Sequence, residues 1–381
     1  MKILIINLDK SIFRTDSVSL ANLKNYSRFF EKLFVISWTK GNEKPIFFEN
    51  RLFIYPTNSR SRLFYIIDTL GIFKKFIKKE LIGLVSSQDP FETGLAAYII
   101  SKFFKIPLHL QVHTDFLGPY FEKESLLNRI RVLIAKFLIP RAACIRVVSE
   151  RIKKSLLRVT RCGLRVAVLP IFVDVKKIQE ADIRADLPAG KAGLRKKYPQ
   201  FNFIILMASR LTKEKNIGLA IEAMAEIIKK HPKTGLVIAG DGPEKENYPL
   251  LVTRYGLQNN VIIEPWTNDV ISYYKTADLF LLTSNYEGYG MAVVEAMAAG
   301  CPVIMTDVGL ANEVLVDKKD GLVIPVNNKE KLCEAILNLI ENRGLRTALI
   351  KNSKNTLLLW PTREEYLKNY RDSWLICRQK C

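Results

Sequence analysis

Two glutamates separated by seven residues, Glu287 and Glu295, lie where a predicted strand passes into a predicted helix. The strand LFLLTS ends at Ser284, and the helix begins near Met291 and ends at Gly300, after which a proline prevents it from continuing. Both carboxylates can therefore point into one crevice. By spacing alone, they could act as an acid and a base on a bound substrate.

The loop between this strand and helix contains Gly288, Tyr289 and Gly290. Glycines let the backbone approach a ligand, and the start of a helix offers free amides to an anion. Carboxylates beside such a site suit a ligand with both phosphates and hydroxyls, because hydroxyls donate to carboxylates while phosphates accept from amides. A nucleotide sugar carries both groups. The plainer alternative is a helix start whose acidic residues only favour the helix dipole.

Two cations, Arg210 and Lys215, follow the predicted strand FIILM in the segment ASRLTKEKN. A guanidinium and an ammonium leaving one strand end could hold a diphosphate and stabilise the charge that develops on it. A solvated basic loop is the alternative. The turn GDGP at 240–243 is, on its own, ordinary turn chemistry.

Short β-rich runs alternate with helical segments along the chain. Strands are predicted in the N-terminal half at KILIINL, LFVISW, LIGLVSS, LHLQVH, CIRVVS and VAVLP, with helices at 95–104 and 126–138 between them. The alternation resumes with FIILMAS, GLVIAG, NVIIEP, LFLLTS and PVIMT, and with helices at 217–231, 270–276 and 291–299. Strands that are apolar on both faces and separated by helices predict parallel sheets covered on both sides.

The pattern predicts an α/β chain of two Rossmann-like, doubly wound domains that face a central cleft. The N-terminal domain is expected at 1–173, a linker with one short helix at 174–200, and the C-terminal domain at 201–360. A basic, aromatic helix at about 361–381 could pack back on the first domain. Ligands of such sheets bind beyond the carboxyl ends of the strands, where the charged residues described above lie.

Composition narrows the class further. No apolar run reaches the roughly 18 residues of a membrane-spanning helix, and the N-terminus MKILIINLDK has the pattern of a strand, not of a signal peptide. The six cysteines form no CxxC pair, which favours reduced thiols over a disulfide framework, and the three histidines are scattered. We therefore expect a cytoplasmic protein with no bound metal and no cofactor.

The net charge of +20 is concentrated in the N-terminal half, because residues 1–172 hold 16 more cations than anions. This excess could face an anionic membrane, an anionic substrate or nucleic acid, or be a solvated surface. The segments at 72–81 and 151–159 mix cations with large apolar residues as interfacial helices do, although they could equally pack on the domain core. No nucleic-acid recognition motif is present, so no nucleic-acid partner is expected.

In their order and spacing, these motifs resemble glycosyltransferase family 4, the retaining transferases of the two-domain GT-B fold. The likeness covers about residues 203–326 and extends more faintly over the N-terminal half. The residues that carry it are Ser209, Arg210, Leu211, Lys215, Asn216, the turn at 240–243, Glu287, Glu295, Gly300, Pro302, Val303, Ile304, Gly309, Glu313 and the segment at 321–323.

The resemblance implies roles for these residues. Arg210 and Lys215 would bind the donor diphosphate, Glu287 would contact the donor sugar, and Glu295 would hold the ribose hydroxyls. The remaining donor-binding residues would be Ser209, Gly240, Gly288, Tyr289, Gly290 and Met291, with Pro265 and Trp266 in a loop that flanks the base.

In the N-terminal half, His113 ends the strand LHLQVH and matches a histidine that such enzymes place near the sugar. It would complete a catalytic set with Arg210, Lys215 and Glu287. Without the resemblance, His113 reads as an ordinary histidine at a strand end. Asp115 and Ser149 are weaker candidates for the same region.

The segment after the first strand departs from the family pattern. Many family members carry paired glycines there, whereas LDKSIFRTDSVSLANL has none, and Ser17 and Ser19 are its small residues. Close approach of this loop to the donor phosphate is therefore in question, and the acceptor geometry could differ too.

The resemblance also implies the reaction. The enzyme would transfer a hexose-type sugar from a UDP- or GDP-sugar, with retention, by front-face displacement and without a metal, since no D-x-D cluster is present. The acceptor would be a glycan or lipid-linked molecule of cell-envelope polysaccharide or glycolipid synthesis, reached in the cytoplasm or at the inner face of the plasma membrane through peripheral contact. The alternatives are a non-catalytic nucleotide-sugar-binding subunit and a nucleotide-sugar epimerase of the same fold.

Overall fold

The computed structural model describes residues 1–77, 80–160, 163–181 and 193–378. The chain forms two compact units, one of Met1–Pro170 with Arg363–Cys381 and the other of Ile171–Thr362. Each unit is built around one sheet, and the central strands of both sheets are buried. The strands are β1 (Lys2–Asn7), β2 (Lys32–Ser37), β3 (Ile46–Phe48), β4 (Leu52–Pro56), β5 (Leu84–Ser87), β6 (Leu108–Val112), β7 (Cys144–Val147), β8 (Val166–Val168), β9 (Phe203–Ala208), β10 (Thr234–Ala239), β11 (Val261–Glu264), β12 (Leu279–Leu282), β13 (Val303–Thr306) and β14 (Leu322–Ile324).

The helices connect these strands, as expected for parallel pairing. They are α1 (Val18–Ser27), α2 (Tyr65–Ile77), α3 (Glu92–Phe104), α4 (Phe121–Glu124), α5 (Leu126–Leu138), α6 (Glu150–Val159), α7 (Val175–Glu180), α8 (Gly193–Lys197), α9 (Ile217–Lys230), α10 (Asn247–Arg254), α11 (Val270–Thr276), α12 (Met291–Ala299), α13 (Lys329–Glu341), α14 (Arg343–Thr356) and α15 (Arg363–Leu375). None of the helices in the described ranges combines the length and apolarity needed to cross a bilayer.

The first sheet has the strand order β3-β4-β2-β1-β5-β6-β7-β8. All its pairs are parallel except β3 with β4, an edge hairpin that the sequence pattern did not predict. Its turn places Glu49 and Asn50 at positive φ, 47° and 50°, a conformation usually marked by Asn-Gly or Asp-Gly. The signal was missed because Glu-Asn is a weak version of that motif.

The second sheet is wholly parallel, in the order β11-β10-β9-β12-β13-β14. One face of this sheet packs on α9 and α13 through a core of fully buried side chains such as Ile205, Leu236, Ile304 and Leu332. The prediction of two doubly wound α/β domains is confirmed, although β14 was not predicted as a strand. The polar stretch at 174–200 contains two short helices, α7 and α8, and its residues 182–192 lie outside the described ranges.

The C-terminal helix α15 belongs to the first unit, and residues 379–381 beyond it are not described. Its aromatic side chains at every fourth position pack inward, so that Tyr370 stacks on Tyr26 at 4.2 Å and Trp374 on Phe30 at 5.0 Å. Arg146 of β7, itself buried, donates to the hydroxyl of Tyr366 at 3.1 Å. These contacts fix α15 against the first sheet.

A disulfide between Cys144 and Cys377 also ties β7 to the segment after α15. The expectation that all six cysteines are free thiols is therefore wrong for these two. The sequence could not indicate the pair, because 233 residues separate them and no spacing motif marks them. Cys301 and Cys333 are free, whereas Cys162 and Cys381 lie outside the described residues.

The two segments that mix cations with apolar residues pack mainly on the core of the first unit. In the described part of 72–81, Phe73 and Phe76 are buried, and in 151–159 Ile152 and Leu156 are buried. These four side chains are used by the fold, whereas Leu81, Leu157 and Val159 of the same segments are exposed. A membrane-contact surface, if these segments supply one, would lack those four side chains.

Candidate active site

The strand order of the second sheet reverses between β9 and β12, which are adjacent. From β9 the chain continues outward to β10 and β11, and from β12 it continues outward to β13 and β14 in the other direction. At such a switch point, the loops after the two central strands separate and leave a crevice beyond the carboxyl edge. The loop after β9 carries Arg210 and Lys215, and the loop after β12 carries Glu287.

Lys215 and Glu287 meet at this edge. The Nζ atom of Lys215 donates to Oε1 of Glu287 at 2.5 Å, and the hydroxyl of Ser284 donates to the same oxygen at 2.8 Å. The side chains of Lys215 and Glu287 are 14% and 12% exposed, so water would only partly screen their electrostatic interaction with a bound ligand. Ser284 was not among the predicted site residues.

Hydrogen bonds to backbone carbonyl oxygens join the two loops that carry this pair. The hydroxyl of Thr283 donates to the carbonyl oxygens of Lys215 and Asn216 at 2.9 and 3.0 Å, and the amide of Asn285 donates to the carbonyl oxygen of Glu214 at 2.7 Å. The position of the ammonium group therefore depends on both central strands, as a preorganised cation site requires.

Arg210 lies apart from the Lys215 and Glu287 pair. Its side chain is 72% exposed, and its guanidinium contacts Glu214 at 3.5 Å. The structure thus brings Lys215, Glu287 and Ser284 together but leaves the predicted partner cation in solvent. An exposed arginine on this loop retains the freedom to turn toward an anion, because its ion pair with Glu214 is long and solvent-exposed on the arginine side.

The loop before α12 lies directly against Gly309. A Cβ atom added to Gly309 would overlap the carbonyl oxygen of Tyr289 and come within 2.9 Å of the Cβ atom of Glu287. Gly309 also has φ 54°, a conformation that side chains disfavour. Leu310 donates its amide to the Tyr289 carbonyl at 2.9 Å. Gly309, which belongs to the family pattern, therefore allows the loop that carries Glu287 to pack this closely against it.

The N-terminus of α12 opens toward the same edge. Its N-cap residue is Gly290, which has φ 100° and no side chain to cap the first turn. The amides of Met291 and Ala292 are therefore in a position to serve an anion, as at other helix starts, whereas the amide of Val293 donates to the Gly290 carbonyl. Gly288 and Tyr289 lie in the loop before them, and Tyr289 is buried.

Glu295 lies one turn into α12 and accepts a hydrogen bond from the hydroxyl of Tyr274 at 3.0 Å. Burial raises the pKa of the Glu295 carboxyl, and the Tyr274 hydrogen bond opposes that rise. The pKa of Tyr274 is also raised, mainly by burial. Tyr274, on α11, was not predicted as a site residue, because a tyrosine in a helical apolar pattern is typical of a core position.

Ser209 and Gly240 lie at the ends of β9 and β10, which pair in register. A side chain at Gly240 would overlap the carbonyl oxygen of Ser209, so the glycine permits the two strand ends to approach. Neither residue contacts the Lys215 and Glu287 pair in the hydrogen bonds of the described residues. Their predicted donor contacts remain predictions.

The loop at Pro265 and Trp266 follows β11, and the Trp266 ring is 61% exposed. Glu264, just before it, is buried and forms an ion pair with Lys197 at 2.7 Å. Glu264 also accepts from the hydroxyls of Tyr198 and Tyr273. Burial would raise the pKa of this carboxyl, but these three partners hold it below its ordinary value. This cluster, which the sequence did not reveal, anchors the start of the predicted base-flanking loop.

In the first unit, His113 follows β6 and Asp115 lies two residues later. The Nε2 atom of His113 and the Oδ1 atom of Asp115 are buried, and neither has a hydrogen-bond partner among the described residues. Burial and the nearby Arg146 lower the pKa of His113 to about 3. Burial raises the pKa of Asp115. Buried polar atoms without partners are uncommon and often mark a ligand site.

Two serines considered in the sequence serve as helix caps. The hydroxyl of Ser149 accepts from the amide of Ile152 at 3.3 Å at the start of α6, and that of Ser17 accepts from the amide of Leu20 at 3.1 Å at the start of α1. Capping explains both positions without a ligand. The segment after β1 thus uses its small residue to begin a helix, whereas the family pattern has glycines there.

The buried histidines predict a loss of stability in acid. Burial also lowers the pKa of His109, which is fully buried, to about 3. Between pH 6.5 and about 3, the unfolded chain binds a proton at each histidine and the folded chain does not, so unfolding becomes easier as pH falls. Each would contribute about 1.4 kcal/mol per pH unit. In urea unfolding at pH 7.5 and 5.0, the wild type should lose more stability than His109→Gln; equal losses would contradict this.

Among the described residues, no group of three or more histidine, cysteine, aspartate or glutamate side chains forms a metal site. The chemistry available at the edge of the second sheet comes from an oriented ammonium group, an exposed guanidinium, an open helix start and two carboxylates. Such a set has the chemistry to bind an anion through the cations and amides and hydroxyl groups through the carboxylates. A ligand that carries phosphates and sugar hydroxyls matches both the cationic and the carboxylate groups of this set.

Two family models match the chain. The model described as Glycosyltransferase Family 4 matches residues 32–177, and the one described as Glycosyl transferases group 1 matches residues 194–356. Among curated proteins, a UDP-Gal:alpha-D-GlcNAc-diphosphoundecaprenol alpha-1,3-galactosyltransferase of Escherichia coli is 26% identical, over 81% of this chain and 79% of its own. An alpha-monoglucosyldiacylglycerol synthase of Acholeplasma laidlawii is 24% identical, over 73% and 71%.

Solved structures share the fold over the whole chain. A sucrose-phosphate synthase of Thermosynechococcus elongatus superimposes with a TM-score of 0.81 at 19% identity, covering 100% of both chains. HepE of Anabaena in complex with UDP superimposes with a TM-score of 0.72 at 18% identity, covering 98% of each chain. At such identities the likeness establishes the fold.

Proposed function

This chain belongs to glycosyltransferase family 4 and has the GT-B fold, and from that premise we propose that it transfers a hexose-type sugar from a nucleotide-diphosphate sugar with retention of configuration. The observation that carries the proposal is the Lys215 and Glu287 pair at the switch point of the second sheet, beside the open N-terminus of α12. A cation, helix amides and carboxylates converge where a diphosphate joined to a sugar would need them.

In this proposal, the donor diphosphate lies between Lys215 and the first amides of α12. Binding would draw Arg210 from solvent onto the diphosphate, since its contact with Glu214 is long and exposed. Glu287 would accept from a sugar hydroxyl while it orients Lys215, and Glu295 would accept from the ribose. The donor is a UDP- or GDP-sugar, and UDP complexes of the fold neighbour HepE support UDP as the first choice.

The chemical step is proposed to be a front-face displacement. The bond from the sugar to the diphosphate breaks, the acceptor oxygen attacks the same face, and a phosphate oxygen of the leaving group takes the acceptor proton. Lys215 and Arg210 stabilise the charge that accumulates on the departing diphosphate, which is the main demand of such a reaction. Because these cations can supply that stabilisation, we propose that the enzyme needs no metal.

His113 is proposed to contact the donor sugar as a neutral imidazole. Its pKa of about 3 leaves it uncharged at neutral pH. A neutral ring can donate to or accept from a sugar hydroxyl without adding a charge near the breaking bond. The unpartnered Nε2 atom is available for that hydrogen bond. Asp115 is proposed to help position the loop that carries His113.

The acceptor is proposed to be a glycan or a lipid-linked molecule in cell-envelope polysaccharide or glycolipid synthesis. Two relatives support this, because their names place one on an undecaprenyl diphosphate-linked sugar and the other on a diacylglycerol glycolipid. The basic N-terminal half suits peripheral contact with an anionic membrane from the cytoplasmic side.

Release of nucleoside diphosphate from a UDP- or GDP-sugar, measured with and without a panel of lipid-linked and soluble sugar acceptors, tests this function. We expect release to depend on an acceptor, to yield a product that keeps the anomeric configuration, and to persist in EDTA. A binding subunit would release no diphosphate, and an epimerase would convert the donor without an acceptor. Activity that is lost in EDTA and restored by manganese would contradict the metal-free mechanism.

A further inference from the structure

Helix α5 turns a row of large apolar side chains toward solvent. Leu126, Ile130, Leu133 and Phe137 are 72%, 47%, 67% and 44% exposed. Their spacing of four, three and four residues puts them on one face, because a helix turns once every 3.6 residues. Isolated exposed leucines are ordinary, but a continuous row along a whole helix marks a contact surface.

The fold does not need this row, because α5 packs on the first unit with its opposite face. Asn128, Val132, Ala135 and Leu138 are buried. The hydroxyl of Ser125 caps the helix by accepting from the amide of Asn128 at 3.1 Å. The helix is therefore anchored and regular without the outer row, which extends about 16 Å along the helix axis.

Cations line one edge of the row. Arg129 and Lys136 are exposed and neither forms an ion pair with another described residue. Just after the helix, the guanidinium of Arg141 stacks over the Phe137 ring at 3.8 Å. Glu122 and Glu124 of α4 precede the helix in the chain, and Glu92 of α3 is paired with Arg131 of α5. An apolar row with cations at its side is the pattern of helices that lie in a membrane interface.

We propose that α5 is the membrane-docking surface of this enzyme, with Leu126, Ile130, Leu133 and Phe137 inserted among the headgroups of an anionic bilayer. The inference rests on the proposed function only in that a lipid-linked acceptor makes membrane contact useful. The positive charge beside the row favours a lipid surface over a second copy of this chain as the partner. Two copies joined through α5 would bring Arg129 and Lys136 near their own equivalents, whereas anionic headgroups neutralise them.

Binding to vesicles tests the docking surface directly. The wild-type protein is sedimented with vesicles of phosphatidylglycerol and phosphatidylcholine, and with phosphatidylcholine alone, at low and high salt. We expect binding to the anionic vesicles at low salt that weakens as salt rises. The double variant Ile130→Ser with Leu133→Ser should bind about tenfold or more weakly. Leu250→Ser, at an apolar side chain 71% exposed in the second unit, is the matched control and should bind as the wild type does.

Several outcomes would overturn the proposal. They are no binding of the wild type to anionic vesicles at low salt, equal binding by the double variant, or a wild-type dimer in solution that the double variant abolishes. Thermal shift by UDP- and GDP-sugars is measured on the same variants. An unchanged shift in the double variant shows that it folds and that its donor site is intact, so failure of docking and failure of the proposed function remain distinguishable.

Discussion

Replacing Lys215 with alanine is expected to lower kcat/KM for sugar transfer by about 10²–10³-fold, the usual effect of removing one preorganised group that stabilises developing charge. The ammonium group is held by Glu287 at 2.5 Å and is only 14% exposed, so water cannot replace it well. Most of the loss should fall on kcat, because the charge on the diphosphate is greatest as the sugar leaves.

Lys213→Ala is the matched control, since Lys213 lies in the same turn, is exposed, and has no contact with Glu287. It should retain nearly full activity. Glu287→Gln should also lose activity, because the lysine loses its charged partner and the sugar hydroxyl is left with a neutral amide oxygen in place of a carboxylate as its acceptor. If Lys215→Ala and Lys213→Ala proved equally active in steady-state assays, Lys215 would not be the diphosphate cation.

Replacing Glu295 with alanine is expected to weaken donor binding by about 10–100-fold, the range for losing hydrogen bonds to a charged group. Titration calorimetry with the UDP- or GDP-sugar measures this loss. The control is Glu330→Ala, an exposed glutamate in the first turn of α13 in the same unit, which should bind the donor normally. An unchanged affinity in Glu295→Ala would remove the ribose role.

The raised pKa of Glu295 adds a pH dependence to that binding. Because burial lifts the pKa of this carboxyl, it takes up a proton at a higher pH than an exposed glutamate does, and the protonated form is the poorer acceptor. Donor affinity of the wild type should therefore fall as the solution becomes acidic. Glu295→Gln should bind more weakly at neutral pH but lack this decline.

Much of the fold could be predicted because its elements repeat a simple pattern. The helices at Leu126–Leu138 and Met291–Ala299 have the predicted bounds, and the strands of the second sheet were found except β14. Buried parallel strands are continuous apolar runs, so periodicity and length suffice to place them. The β3–β4 hairpin was not predicted, because its strands are short and its turn lacks the usual glycine.

Site residues could be predicted where a motif and its neighbours in the sequence indicate the chemistry. Residues that join the site through contacts between distant parts of the chain could not. Glu287 and Lys215 were chosen from their loops, and the structure joins them. Ser284, Tyr274 and the Glu264 cluster were missed, because a serine, a tyrosine or a glutamate at a strand end has many ordinary uses. The Cys144–Cys377 disulfide was missed because 233 residues separate the two cysteines and no spacing motif marks them.

The outward face of α5 shows a different limit. Apolar residues at 126, 127, 130, 132, 133, 134, 137 and 138 cover more than half of the helix circumference, so the sequence could not tell which face packs inward. The segments at 72–81 and 151–159 also mix cations with large apolar residues. Four of these apolar side chains serve the core, whereas Leu81, Leu157 and Val159 are exposed. Only burial in the folded chain separates the two uses of the same composition.

A thermal-shift screen with UDP-, GDP- and ADP-sugars, run on the wild type and on a variant carrying both Lys215→Ala and Glu295→Ala, tests the donor site most directly. A true donor at about 100 times its Kd stabilises the folded state by about 2.7 kcal/mol. The midpoint of the wild type should then rise by roughly 3 °C if the whole chain unfolds in one transition, or by roughly 7 °C if the unit of Ile171–Thr362 unfolds on its own. The midpoint of the double variant should not move. If no nucleotide sugar raises the wild-type midpoint, or if the double variant keeps the full shift, this edge of the second sheet is not the donor site.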